Sequence, residues 1–105
     1  PYNGVTTSIE AIWMGVPVLT LKGYNFTSRC GESININCNL KEFIAKNKKD
    51  YIQKAIDLTK NTETLIRLKE NLREKASKTT LFNTKKFTDE LSKKLINLWE
   101  KNNTI

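Results

Sequence analysis

The sequence predicts an α/β fold, mostly helical, with one or two short parallel strands, and three observations lead there. Residues 1–40 hold every glycine and both prolines, whereas residues 41–105 read almost throughout at helical spacing. Ile9, Ile12, Trp13 and Val16 recur at that same spacing until Gly15-Val16-Pro17 stops the pattern, because proline lacks an amide donor and biases its predecessor away from helix. The next residues, Val16 to Leu21, form a short apolar run rich in β-branched side chains, the pattern of a strand buried on both faces of a parallel sheet. Helix, tight turn and buried strand make half of an α/β repeat.

Taken in order, the first element is a helix from about Thr6 to Met14, followed by the strand Val16–Leu21. Tyr24 to Cys38 is polar and mixed, with Thr27 or Ser28 placed to cap a short helix through Arg29 and Glu32. Leu40, Phe43 and Ile44 suggest a brief helix, and Tyr51, Ile52, Ala55 and Ile56 make the apolar stripe of a helix over Lys48–Thr59. Asn61 caps a helix whose inner face is Leu65, Leu68 and Leu72. Asn83 caps the last, whose face is Phe87, Leu91, Leu95, Leu98 and Trp99, running to about Lys101 before a frayed, Asn-rich end. A lone strand needs partners for its backbone groups, so further strands are expected before Pro1. If the chain folds alone, a homodimer is one route.

Composition bounds the rest. A chain of 105 residues allows one compact core. No apolar stretch approaches the roughly 20 residues that span a bilayer, so no membrane partner is expected. The opening Pro1-Tyr2-Asn3-Gly4 has neither an initiator methionine nor a leader pattern, and the chain reads as a fragment. Cys30 and Cys38 make no disulfide framework, and without histidine there is no zinc-ligand spacing. A reducing, cytoplasmic setting fits. The net charge of +7 raises a second reading, a basic helical module for nucleic acid or a partner protein. That reading requires Lys46, Lys48, Lys49, Lys54, Lys60, Lys85, Lys86, Lys93 and Lys94 to share one surface, and their spacing scatters them over several helices, so no nucleic-acid partner is expected.

The chemistry concentrates in the block from Pro1 to Val18. Asn3-Gly4 favours a tight turn with positive φ, and Thr6, Thr7 and Ser8 bring hydroxyls beside the unpaired amides of a first helical turn. Amides, hydroxyls and the positive end of a helix dipole suit a phosphate or pyrophosphate. Glu10 lies one turn on, on the side of Thr6 and Thr7, where a carboxylate can accept both hydroxyl protons of a ribose. Taken singly, the threonines read equally well as caps and Glu10 as a solvated helix residue. Ser28-Arg29 at a helix start could touch a phosphate, or Arg29 could form a surface salt bridge. Tyr2 is expected to pack at the loop edge, and Trp13 and Trp99 to anchor a core or an interdomain contact.

As an ordered block before a buried strand, these residues resemble the O-linked N-acetylglucosamine transferase family, with its bacterial members and the plant SPINDLY proteins. The likeness continues through Ser28-Arg29-Cys30-Gly31-Glu32-Ser33, Phe43-Ile44-Ala45-Lys46-Asn47, and Leu81-Phe82-Asn83-Thr84-Lys85-Lys86-Phe87 to Trp99. It implies a GT-B glycosyltransferase, two Rossmann-like domains facing one cleft, usually with tetratricopeptide repeats upstream that select acceptor proteins. This chain would be the C-terminal portion of the second domain. Residues 1–40 would form its donor-binding βα portion, and 41–105 its C-terminal helices, the last returning toward the missing N-terminal catalytic domain. The resemblance implies that Thr6 and Thr7 hold the diphosphate of a nucleotide sugar, UDP-N-acetylglucosamine by this likeness, and that Glu10 holds its ribose. Transfer would go to Ser/Thr of an acceptor protein bound through upstream regions, with no other cofactor. No catalytic group is assigned here, since the family's general base lies in segments before Pro1, and the fragment alone is expected to be inactive. Two departures stand out. Animal members carry histidine where this chain has Val5, and aspartate where it has Glu10. Plant relatives include transferases of fucose from a guanosine donor, so the Thr-Thr-Glu arrangement leaves base and sugar open.

Overall fold

The computed structural model describes residues 2–103. The first helix, α1 (Thr6–Trp13), buries Ile12 completely and ends as expected. Gly15 takes φ +85°, and the amides of Gly15 and Val16 turn back to the carbonyls of Ile12 and Ala11 at 2.9 and 2.8 Å, the left-handed helix stop that glycine adopts without strain. A Cβ at Gly15 would stand 2.8 Å from the Lys69 carbonyl oxygen, so glycine also lets the end of α1 press against a later helix.

The expected strand is shorter than the run Val16–Leu21. Only β1 (Thr20–Leu21) pairs, in parallel with β2 (Ile44–Ala45), Thr20 opposite Ile44 and Leu21 opposite Ala45. Among the described residues β1 has a partner on one edge alone, so Val16 stays 48% exposed and burial on both faces is not reached. Asn35, 1% exposed, completes part of the backbone pairing by donating to the carbonyls of Val18 and Phe43 at 2.9 and 3.2 Å.

Between the strands runs α2 (Phe26–Asn37), longer than expected and capped two or three residues earlier. Asn25, in extended conformation, accepts from the Ser28 amide at 3.0 Å, while the Ser28 hydroxyl accepts from the Asn25 amide at 3.2 Å. This reciprocal capping box replaces the expected cap at Thr27 or Ser28. The helix closes on Asn39 at φ 61°, with the Leu40 amide reaching back to the Asn35 carbonyl at 2.8 Å. The brief helix expected around Leu40–Ile44 is a single 3-10 turn, Lys41–Phe43, and Ile44 enters β2, because pairing with β1 satisfies its backbone better than one more helical turn.

The remaining helices are α3 (Lys48–Lys60), α4 (Thr62–Ser77) and α5 (Thr84–Asn103), with a 3-10 turn at Thr80–Phe82. Asn47, Asn61 and Asn83 accept first-turn amides from Asp50, Thr64 and Lys86 at 2.8, 3.3 and 3.0 Å. Leu72 and Ala76 of α4 enter the core with Ile12, Ile34, Leu40 and Phe43, while Leu65 and Leu68 are half-buried at its edge. Trp13 sits 5.1 Å from the Phe82 ring, with the Arg73 guanidinium 4.6 Å over its own ring; it anchors contacts within the chain. Every residue of α5 is exposed, Phe87 and Trp99 at 64% and 71%, so the apolar face expected to lack a partner lies open. The helix continues past Lys101 to Asn103; Pro1 and the end of the expected frayed tail lie outside the described residues. No described helix is long and apolar enough to cross a membrane.

Candidate functional site

The loop that delivers α1 is tied down by Asn3. Its amide donates to the Thr27 carbonyl and its side-chain oxygen accepts from the Gly31 amide, both at 3.0 Å, which fixes the start of α1 against α2. The positive φ expected around Asn3-Gly4 is not adopted; among the described residues Gly15 and Asn39 alone have it. Gly4 serves by its size instead. A Cβ there would come 2.7 Å from the Thr7 hydroxyl and 3.0 Å from the Ser8 hydroxyl.

The three hydroxyls of the first turn then divide. Ser8 is buried, and its hydroxyl donates to the Gly4 carbonyl at 3.1 Å. Thr6 and Thr7 are exposed, and their hydroxyls make no hydrogen bond with a described residue. The first backbone bond of the helix is from the Ile9 amide to the Val5 carbonyl at 3.1 Å, so the amides of Thr6, Thr7 and Ser8 precede it without a helical acceptor. Val5 offers no side-chain cap. The other four helices each begin with an asparagine that takes up an orphan amide; α1 has no such side-chain cap. Glu10 follows on the same face, exposed and without an ion pair to a described residue.

Arg29 forms the surface salt bridge that was its other reading, 3.3 Å from Glu32. The Glu32 carboxylate is 12% exposed and also meets Lys22 at 3.5 Å. Arg29 and Val5 share the wall of a cavity of about 670 Å³ with Tyr24, Phe26, Cys30 and Ser33. The structure thus brings Arg29 beside the residue that precedes Thr6, while Thr6, Thr7 and Glu10 stand on α1 outside that wall. Tyr2 is 84% exposed rather than packed at the loop edge, since the tether runs through Asn3.

A second cavity of about 940 Å³ opens beyond the carboxyl ends of β1 and β2, lined by Lys22, Tyr24, Arg29, Lys46, Asn47 and Lys48. Sequence reasoning missed both this convergence and the Asn3 tether. The Asn25–Ser28 spacing was a local signal that could have placed the α2 cap correctly. Of the lysines weighed for a basic module, Lys46, Lys48, Lys49, Lys54 and Lys60 lie before or on α3, and Lys85, Lys86, Lys93 and Lys94 on α5. Cys30 and Cys38 are free thiols, and burial pushes the Cys38 thiol up to about 11.

Three comparisons bear on this arrangement. The family model for glycosyl transferase family 41 matches residues 2–91. A protein of Eustoma exaltatum subsp. russellianum called probable UDP-N-acetylglucosamine–peptide N-acetylglucosaminyltransferase SPINDLY is 34% identical over 101 residues, 96% of this chain and 11% of its own length. The protein of the same description from Solanum lycopersicum is 33% identical over the same shares. Among solved structures, a mutant O-GlcNAc transferase of Thermobaculum terrenum superposes with a TM-score of 0.85 at 37% identity, over 96% of this chain and 19% of that one. The chain therefore spans about a tenth of the length of these plant relatives.

Proposed function

The chain belongs to glycosyl transferase family 41, and from that premise we propose that it supplies the diphosphate and ribose contacts of a nucleotide-sugar donor site in a larger glycosyltransferase. The reaction is transfer of N-acetylglucosamine from UDP-N-acetylglucosamine to Ser/Thr of proteins, in keeping with the names of the plant relatives. In this reading the chain is the C-terminal portion of the second Rossmann-like domain of a GT-B enzyme. Residues 1–40 carry the donor contacts, and residues 41–105 form the helices whose last member returns to the other catalytic domain. The chain contains no histidine, so the general base is assigned to that other domain, and this piece alone is inactive. Two free thiols support a reducing compartment, the cytoplasm.

The observation that carries the reading is the uncapped start of α1, where the amides of Thr6, Thr7 and Ser8 lack a helical acceptor beside the free hydroxyls of Thr6 and Thr7 and the positive end of the helix dipole. A diphosphate bound there gains hydrogen bonds to a charged acceptor, each worth about 1.5–3 kcal/mol, and about 0.3–1 kcal/mol from the dipole. Glu10, one turn on, accepts the ribose hydroxyls. Arg29 joins the phosphate by releasing Glu32, which keeps its ion pair with Lys22.

Calorimetric titration of the full protein with UDP, GDP and their sugar conjugates tests this. UDP is expected to bind, and Thr7→Ala/Glu10→Ala to weaken it at least tenfold, about 1.4 kcal/mol. Absence of nucleotide binding by the wild type refutes the donor site, and preferential binding of GDP reassigns its base.

A further inference from the structure

We propose that the trough at the carboxyl ends of β1 and β2 is a docking site for an acidic segment of the acceptor polypeptide. Leu21 and Ala45 are the last paired residues, and the Lys22 amide still donates to the Ala45 carbonyl at 2.9 Å. Lys22 and Lys46 therefore leave the sheet side by side, on strands spaced about 4.8 Å apart, which brings two like charges together. The next element repeats the conflict. Lys48 and Lys49 open α3 ahead of Asp50, so two cations and one anion share the positive end of the helix dipole, where anions are favoured. Arg29, in the opening turns of α2, adds a fourth cation to the wall formed with Lys22, Lys46 and Lys48.

Two carboxylates, Glu32 and Asp50, stand beside these four cations. Glu32 is divided between Lys22 and Arg29 at 3.5 and 3.3 Å, and Asp50 accepts the Lys46 amide at 2.9 Å. The ammonium groups of Lys46 and Lys48 pair with no carboxylate among the described residues. Positive charge is thus concentrated where folding alone would disperse it, and an anionic occupant resolves the conflict. The trough, of about 940 Å³, is far larger than one phosphate, and the fully exposed ring of Tyr24 on its wall offers apolar contact as well. An extended peptide bearing several carboxylates fits both features. Place agrees, since ligands of open α/β sheets lie beyond the carboxyl ends of the strands. Arg29 also links this trough to the cavity beside Val5. The acceptor assignment rests on the donor-site reading; the acidic-peptide site itself does not.

The test uses the full protein and fluorescence anisotropy with two labelled peptides, one with a Ser/Thr flanked by Asp and Glu, the other with Asn and Gln in their place. The acidic peptide is expected to bind roughly tenfold tighter at low salt, with the difference collapsing as salt rises. Lys46→Glu/Lys48→Glu is expected to equalise the two peptides. Lys93→Glu/Lys94→Glu on α5, an identical change in net charge, is expected to preserve the preference. Equal binding of both peptides by the wild type overturns the proposal, as does equal loss in both variants, which would mark a general charge effect. Tighter binding to phosphatidylserine vesicles than to the acidic peptide, lost in the Lys46/Lys48 variant, overturns the choice of polypeptide as occupant. Peptide preference without any UDP binding would remove the donor reading and leave the acidic-peptide site standing.

Discussion

Replacing Gly31 by alanine tests the packing on which the whole site depends. In an isolated helix the change is favourable, because alanine is preferred over an interior glycine by about 0.8–1.0 kcal/mol. Here a Cβ at position 31 would fall 2.0 Å from the Thr20 hydroxyl oxygen and 2.7 Å from the Thr20 Cβ. Rotating the Thr20 side chain removes the first clash but not the second, and Thr20 is 5% exposed in β1, so the backbones must part. Overpacking of this kind costs about 1–3 kcal/mol, and contact with a main-chain-fixed atom argues for the upper part of that range. The net expectation is a loss of about 1–2 kcal/mol in the local stability of the α2–β1 contact. Native-state hydrogen exchange reads this as a fall in protection of the α2 amides of about tenfold or more, since about 1.4 kcal/mol is a factor of ten. Because the Gly31 amide also holds Asn3, nucleotide affinity at α1 should fall with it. Thr20→Ala in the Gly31→Ala background leaves the closest approach at the Cβ and should restore part of the protection. Unchanged or increased protection in Gly31→Ala would refute the close approach of α2 to β1 and with it the rigid placement of the α1 loop.

Three further outcomes follow from the same packing. Leu72→Ala empties a position 2% exposed in the core and should cost about 2–5 kcal/mol, read by denaturant unfolding followed through Trp13 fluorescence. Asn25→Ala removes the capping box of α2 and should cost about 1 kcal/mol, seen as faster exchange of the Ser28 amide with little change at α4. Cys38 titrates at about 11 against an ordinary 9.0, with burial the leading cause. The folded state holds this proton more tightly, so the stabilisation is complete below pH 9 and is lost as pH rises toward 11. Unfolding midpoints across that window should fall more steeply in the wild type than in Cys38→Ala, and Cys38 should resist alkylation until the chain unfolds.

Local rules made much of this fold legible. The stop of α1 at Gly15 needs only the sequence around it, and the caps at Asn61 and Asn83 need only three residues each. The exposed face of α5 is expected from the family resemblance, in which the last helix returns toward another domain, rather than from any local rule. What escaped was decided by contacts distant in sequence. Val16–Leu19 has strand composition, yet whether it pairs depends on a neighbour, and here β2 reaches only Thr20 and Leu21. Ile44 shares helical spacing with Leu40, and only pairing with Thr20 reveals it as strand. At the candidate site, Thr6, Thr7 and Glu10 fall on one helix, as local sequence indicates. The anchoring of their loop by Asn3 spans 28 positions, and no window of local sequence contains it. Lys22 and Lys46 look like ordinary surface lysines until strand register sets them abreast.

The parallel pairing of β1 with β2 also sets an order of assembly. Thr20 and Ile44 are separated by about two dozen residues, and closing a loop of that size costs about 3 kcal/mol of chain entropy. Four paired residues cannot repay that alone. The intervening segment must first coil into α2, whose formation shortens the gap, and Asn35 can then gather the Val18 and Phe43 carbonyls from both sides at once. During synthesis β1 therefore waits on residues made well after it, and its pairing closes only once Ile44 and Ala45 have left the ribosome.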